Sequence, residues 1–272
     1  MLHEIIKLKE HYDIETEAYL EVIIANNNDS ENRTKSPGMI VVPGGAYFMV
    51  SLREGDPIAF KFNIEGYVSF VLYYSTYTMY PKPMLELAYA IDYLRNNADK
   101  YYLDKDKIGI IGFSAGGHLV SSYSYLYCHE DFKQYINIDS ENIKPNCLIS
   151  CYPVITMNDD THYDTRANIT GMKPELLKLL SVENNIPENY PPTFVWTTQE
   201  DTCVPCINSE LFVKALKEKN IEHEYFFYPR LDHGLSTQTP LLYDRETLKH
   251  HDMIGVSEWF NKAVAFANRI FK

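Results

Sequence analysis

The stretch "KIGIIGFSAGGHLVSSYSYLY", residues 107–127, is the most informative part of this chain. An apolar run, Ile108 to Ile111, stops at Gly112. A run with helical character starts after Ser114, and glycine stands at 112, 116 and 117. One serine is therefore placed at a tight corner between a buried strand and a helix, with small residues around it.

The pattern G-x-S-x-G between a strand and a helix predicts a nucleophile elbow. Ser114 must take up a strained backbone conformation in the turn. Gly112 and Gly116 have no Cβ, so strand and helix can approach closely. The turn lifts Oγ out of the sheet and sets it near a helix N-terminus. There the N–H of Ala115 can face an anion forming on a ligand. The alternative is a glycine-containing turn with an N-capping serine. From the composition the pattern is expected by chance only about 0.03 times in such a chain.

On either side of this corner, strands alternate with helices. Strands are expected at 18–25, 39–43, 67–74, 107–112, 147–153, 193–199 and 222–229. Helices are expected at 56–66, 83–102, from 115 onward, at 205–220 and at 254–271. The segment "NNNDSENRTKSPG" (26–38) is rich in turn formers. Such alternation implies βαβ units and a mainly parallel sheet covered on both faces, an α/β fold. Residues 154–192 are too long for a plain loop and read as a small helical insertion in a single domain over 1–272.

The chain has 272 residues, 45% of them hydrophobic, enough for one large core. Its net charge of −12 argues against nucleic acid and against anionic membrane surfaces as partners. No apolar run approaches the roughly 18 residues of a membrane span. The N-terminal residues carry charges every few positions and do not read as a signal peptide. Five cysteines, at 128, 147, 151, 203 and 206, fit reduced thiols and a cytoplasmic location. Cys203-x-x-Cys206 has no second pair to complete a zinc site, so no metal is expected.

A serine hydroxyl needs a base within hydrogen-bond reach, and the base needs an orienting carboxylate. Asp201 follows the strand at 193–199 directly, and His233 lies just past the strand at 222–229. In a parallel sheet both fall on the edge that carries Ser114. Glu200 competes with Asp201 for the acidic role. Asp232 adjoins His233 in sequence and is poorly placed to orient its ring. His118, one turn after Ser114, reads as a packed or capping residue. The loop "VVPGGAYFMVSLREGDPIA" (41–59) follows a buried strand. The N–H groups of Gly45 and Ala46 are its candidate oxyanion donors beside Ala115. Arg53 and Glu54 are expected to pair and fix this loop. His162, Tyr163 and Arg166 are candidates to line a pocket bordered by the insertion.

With these residues placed, the chain resembles α/β-hydrolases of the esterase/lipase superfamily. It is most similar to the acetyl-xylan-esterase-like, sugar-hydrolase branch often grouped with dienelactone-hydrolase-like proteins. The resemblance runs over about residues 37–270. It rests on "PGGAYFMVSLREGDPIA", "GFSAGGHLV", "RANITG", "PPTFVWTTQEDTCVP" and "DHGLS", in that order. Many such esterases carry H-G-G-G where this chain has Pro43-Gly44-Gly45-Ala46; backbone donors do not depend on that difference. The resemblance implies a Ser114–His233–Asp201 triad, no cofactor, and hydrolysis of short acyl esters, acetylated sugars being the implied substrates. Rival readings are a general carboxylesterase, a peptidase or formamidase on the same triad, a glycosidase with paired carboxylates, and a binding protein on an inactive hydrolase fold. Assembly, a homodimer included, is left open.

Overall fold

The structure, a computed structural model, describes residues 2–24 and 34–272. Its strands are β1 Leu2–Lys7, β2 Tyr19–Ile24, β3 Ser36–Val42, β4 Val68–Tyr73, β5 Leu103–Phe113, β6 Cys147–Cys151, β7 Thr193–Thr198 and β8 His223–Tyr228. Its helices are α1 Asp56–Ile64, α2 Lys82–Asn96, α3 Ala115–Leu126, α4 Glu130–Lys133, α5 Ser140–Ile143, α6 Tyr163–Thr170, α7 Pro174–Leu179, α8 Ile207–Glu218, α9 Arg245–Ile254 and α10 Trp259–Ile270. The strands form one sheet in the order β1-β2-β4-β3-β5-β6-β7-β8. β1, β2 and β4 pair antiparallel, and every pairing from β4 through β3 to β8 is parallel. This is the mainly parallel α/β sheet expected from the alternation of elements, and the α/β-hydrolase architecture that the resemblance implies.

Side chains alternate across the strands, so the sheet carries a core on each face. On β5, Ile108 and Ile110 face one core, and Ile111 and Phe113 face the other. The first core is closed by α2, α3 and α8, through residues such as Leu87, Leu119 and Phe212. The second is closed by α1 and α10, through Phe62, Phe260 and Val264. Each fully buried side chain of this size contributes about 1.5–3 kcal/mol. No helix among the described residues is long and apolar enough to cross a membrane.

β1, α9 and the short helices α4 and α5 lie outside the expected set. β1 is an edge strand whose residues are mostly exposed, so it shows no apolar alternation. In α9 only His251 is buried, so no helical apolar stripe announces it. Its N-terminus is set by Asp244, whose carboxylate accepts from the N–H groups of Glu246 and Thr247. β3 starts at Ser36, inside the stretch read as turns. Residues 26–33 of that stretch, and Ala25 at the end of the expected 18–25 strand, lie outside the described residues. The helix expected over 83–102 ends at Asn96, and a 3-10 turn, Ala98–Tyr101, completes it. Residues 154–192 contain α6, α7 and a 3-10 turn, Val182–Asn184, which bury Ile169, Leu180 and Val182 in the first core.

Because β3, β5, β7 and β8 run parallel, the loops that leave their carboxyl ends share one edge of the sheet. Those loops begin with Pro43, Ser114, Gln199 and Pro229.

Candidate active site

Ser114 sits between β5 and α3 with φ 54° and ψ −119°, a conformation that costs a non-glycine residue about 1–3 kcal/mol. The corner is held by hydrogen bonds. The Ser114 N–H donates to Cys151 O at 3.0 Å, and Ser114 O accepts from the N–H groups of His118 and Val154. Glycine at two neighbours makes the corner feasible. A Cβ on Gly112 would stand 2.2 Å from Gly116 O, and one on Gly116 would stand 2.2 Å from Val42 O. An alanine at either position would push the helix away from the strands it starts against.

The serine hydroxyl lies 2.8 Å from His233 Nε2, and His233 Nδ1 lies 2.7 Å from Asp201 Oδ2. Asp201 has no exposed side-chain surface. Its other oxygen, Oδ1, accepts from the N–H groups of Cys203 at 3.0 Å and Val204 at 2.7 Å. The carboxylate is therefore aimed by the turn that follows β7. Glu200 is exposed and stands outside this chain of hydrogen bonds. Asp232 acts elsewhere, its Oδ1 accepting from the N–H and hydroxyl of Thr202 and from the His233 N–H. It ties the loop carrying Asp201 to the loop carrying His233. These donors hold the Asp232 carboxyl below the usual range. Tyr152 packs its ring edge-on to the imidazole, with centroids 5.0 Å apart.

The loop after β3 is fastened at four points. Glu54, buried, accepts the Gly44 N–H at 2.9 Å. Asn168 Nδ2 of α6 donates to Ala46 O at 2.8 Å. The Tyr47 hydroxyl donates to His118 Nδ1 at 2.8 Å, and Tyr47 O accepts the Tyr77 N–H at 2.7 Å. Ala46 and Tyr47 are both held at positive φ, 51° and 61°. The N–H groups of Gly45, Ala46 and Ala115 donate to no protein acceptor among the described residues. An oxyanion beside Ser114 would find these donors already in place.

His118 is packed, as expected. Its Nε2–H donates to Leu180 O at 2.9 Å, which leaves Nδ1 to accept from Tyr47. Burial pushes its pKa down to about 4, so the ring is neutral. Through it, the loop after β3, helix α3 and the insertion are locked together.

Arg53 and Glu54 do not pair. They are neighbours in a 3-10 turn, Leu52–Glu54, and point apart. Glu54 turns inward, where its second oxygen accepts from the Tyr152 hydroxyl at 2.7 Å. That hydroxyl in turn accepts the Ser236 N–H at 3.1 Å. Arg53 turns outward, donates to the Tyr243 hydroxyl at 2.5 Å and lies 5.2 Å from the centre of that ring. Glu54 fixes the loop as expected, though through Gly44 and Tyr152 and not through Arg53, while Tyr152 and Asn168 are anchors that no sequence pattern identified. Asn168 does stand in the "RANITG" stretch that carries the resemblance.

The residues enclose a cleft of 360 Å³. Ser114, His233, Gly45 and Ala46 line it, together with Phe48, Met49, Cys203, His162 and Asp164. Of the three insertion residues expected there, only His162 is present. Tyr163 is exposed, and the Arg166 guanidinium lies 5.6 Å from its ring centre and pairs with Asp159 at 2.9 Å. His162 caps α6, its Nδ1 accepting from the Thr165 N–H, and burial lowers its pKa. No group of three or more His, Cys, Asp or Glu able to hold a metal ion occurs among the described residues. Chemically, the arrangement can take a proton from a hydroxyl, hold it on an imidazole and stabilise a neighbouring oxyanion.

The BD-FAE family model matches residues 24–216. Endo-1,4-beta-xylanase B of Butyrivibrio fibrisolvens is 37% identical over 209 residues, 73% of this chain and 32% of its own length. The acetylxylan esterase of Xylanibacter ruminicola is 28% identical over 79% of this chain and 43% of its own length. This chain thus spans well under half of either relative. Among solved structures, the acetyl ester-xyloside bifunctional hydrolase of Caldicellulosiruptor lactoaceticus superposes with a TM-score of 0.82. It is 29% identical, and the match covers 98% of this chain and 96% of that one. The chain belongs to the BD-FAE family, on an α/β-hydrolase fold.

Proposed function

We propose that this protein is a serine ester hydrolase that removes short acyl groups, acetyl above all, from sugars. The observation that carries the proposal is His233, bridging Ser114 Oγ at 2.8 Å and Asp201 at 2.7 Å beside three uncommitted N–H groups. The names of the relatives, an acetylxylan esterase and an acetyl ester-xyloside hydrolase, support the choice of ester and of sugar.

In this reading His233 carries its proton on Nδ1, directed at Asp201, and its Nε2 accepts from the Ser114 hydroxyl. Oγ attacks the ester carbonyl as its proton passes to Nε2. The carbonyl oxygen becomes an oxyanion held by Ala115 N–H and by Gly45 or Ala46 N–H. The imidazolium, stabilised by Asp201, gives its proton to the leaving alcohol, and an acyl-serine remains. Water then attacks by the same steps, releasing the acid and restoring Ser114. No cofactor takes part.

The test is a set of p-nitrophenyl acyl esters and acetylated xylo-oligosaccharides, assayed with the wild type and with Ser114→Ala. Loss of about three or more orders of magnitude in kcat, with the fold retained by circular dichroism, is expected. Retention of a tenth or more of the activity would remove Ser114 from its role.

A further inference from the structure

A second cleft, of 550 Å³, opens on the far side of Met49, whose side chain walls both clefts. Its walls come from the end of β4, the start of α2 and the segment before β2. Tyr19 and Tyr73 stand in it as a stacked pair, centroids 4.7 Å apart and planes 14° from parallel. Three polar side chains on its wall, Glu15, Thr76 and Lys82, make no hydrogen bond or ion pair among the described residues.

We propose that this second cleft binds a neutral oligosaccharide: the sugar units that lie beyond the unit carrying the ester. The proposal rests on the ester-hydrolase reading and names where the alcohol part of the substrate extends. Position is the first argument. Met49 lines both clefts, so a leaving group longer than one sugar can run past it from Ser114 into the second cleft. Methionine is unbranched and adaptable, and Met49 is 47% exposed, so it can give way to a chain that crosses it.

Chemistry is the second argument. Sugar hydroxyls both donate and accept. The uncommitted groups supply both needs: a carboxylate at Glu15, an ammonium at Lys82, and a hydroxyl at Thr76 that does either. One free charge of each sign leaves little net field, which disfavours an anionic ligand. The remaining acid in the cleft, Glu17, is paired with Lys9. The tyrosine pair offers aromatic surface to the C–H faces of pyranose rings. A fatty acyl chain would instead strand these polar groups without partners.

The experiment compares acetylated xylose, acetylated xylotetraose and p-nitrophenyl acetate on the wild type, Lys82→Ala and Thr76→Trp. The wild type is expected to favour the tetrasaccharide ester over the monosaccharide ester by about tenfold in kcat/KM, the worth of one or two hydrogen bonds. Both variants are expected to lose most of that preference through KM, with p-nitrophenyl acetate turnover unchanged. Lys82→Ala truncates a half-buried side chain that makes no hydrogen bond or ion pair among the described residues, and keeps the test valid if the larger side chain at 76 perturbs folding. Equal kcat/KM for the two sugar esters in the wild type overturns the cleft assignment alone, as does an equal loss on p-nitrophenyl acetate in Lys82→Ala. Absence of turnover on every acyl ester overturns the ester-hydrolase reading, and the subsite falls with it.

Discussion

Glu54 holds the Gly44 N–H at 2.9 Å from a side chain that is almost wholly buried, and it pairs with no cation among the described residues. Its two oxygens accept instead from that N–H and from the Tyr152 hydroxyl. The same carboxylate thus ties the loop that offers Gly45 and Ala46 to the residue that packs on His233. Glu54→Ala would strip both donors of their acceptor, at about 1–3 kcal/mol each. A loss of about tenfold or more in kcat is expected, together with a lower urea midpoint. Glu54→Gln keeps an acceptor for Gly44 and should recover part of the rate. A wild-type kcat in Glu54→Ala would show that the loop holds its shape without this anchor.

Asp201 and Glu200 are adjacent carboxylates with unequal consequences when neutralised. Asp201→Asn is expected to cost several orders of magnitude in kcat, because the amide cannot stabilise the imidazolium and favours the wrong tautomer. Glu200→Gln, at an exposed side chain, is expected to stay within about twofold of wild type. Comparable losses in the two variants would contradict the geometry of the Asp201–His233 contact.

His118 makes the folded state sensitive to acid. Burial holds its pKa at about 4, below the ordinary value of 6.5 that the unfolded chain regains. Between those values the unfolded chain binds a proton that the folded chain does not. The contribution is therefore complete above about pH 6.5 and is lost as the pH falls towards 4, amounting to about 3 kcal/mol. Half-buried Asp56 and buried Glu86, whose pKa values are raised by desolvation, act in the opposite direction and are common to wild type and variant. Urea titrations of wild type and His118→Gln at pH 7 and pH 4 measure the difference. The variant is expected to lose less stability on acidification, and parallel curves would refute the assignment.

Acetyl esters are expected to be cleaved with higher kcat/KM than octanoyl esters. The cleft at Ser114 holds 360 Å³, and Arg53, Glu54, His162, Asp164 and His233 share its wall with Phe48 and Met49. The apolar face of α7 packs against the body instead, with Leu176, Leu177 and Leu179 resting on the first core. Each methylene that met an apolar wall would gain about 0.8 kcal/mol. A steady rise from acetyl to octanoyl would reveal such a wall and favour a lipase-like carboxylesterase.

Features that depend on near neighbours were legible in the sequence. Ser114 between Gly112 and Gly116 specifies a corner because a Cβ at either glycine would collide with backbone only a few residues or one strand away. The near-continuous apolar runs of β3, β4 and β5 specify strands buried on both faces, since a short run of apolar residues is a local property. The order of Ser114, Asp201 and His233 after parallel strands then follows from topology. Which groups meet was settled only by the folded chain. His233 reaches Ser114 across 119 residues and Asp201 across 32, and Glu54 reaches Tyr152 across 98. Asp201 prevails over Glu200 because the turn after β7 supplies two N–H donors that aim its carboxylate inward. Glu54 leaves its neighbour Arg53 because the interior offers it Gly44 and Tyr152, while Arg53 finds Tyr243 at the surface. β1 and α9 leave no apolar period in the chain, because their stability comes from pairing at an edge and from a capping aspartate. A side chain's partner is set by three-dimensional proximity and by the cost of leaving a buried polar group unpaired, and neither quantity exists until the strands have come together.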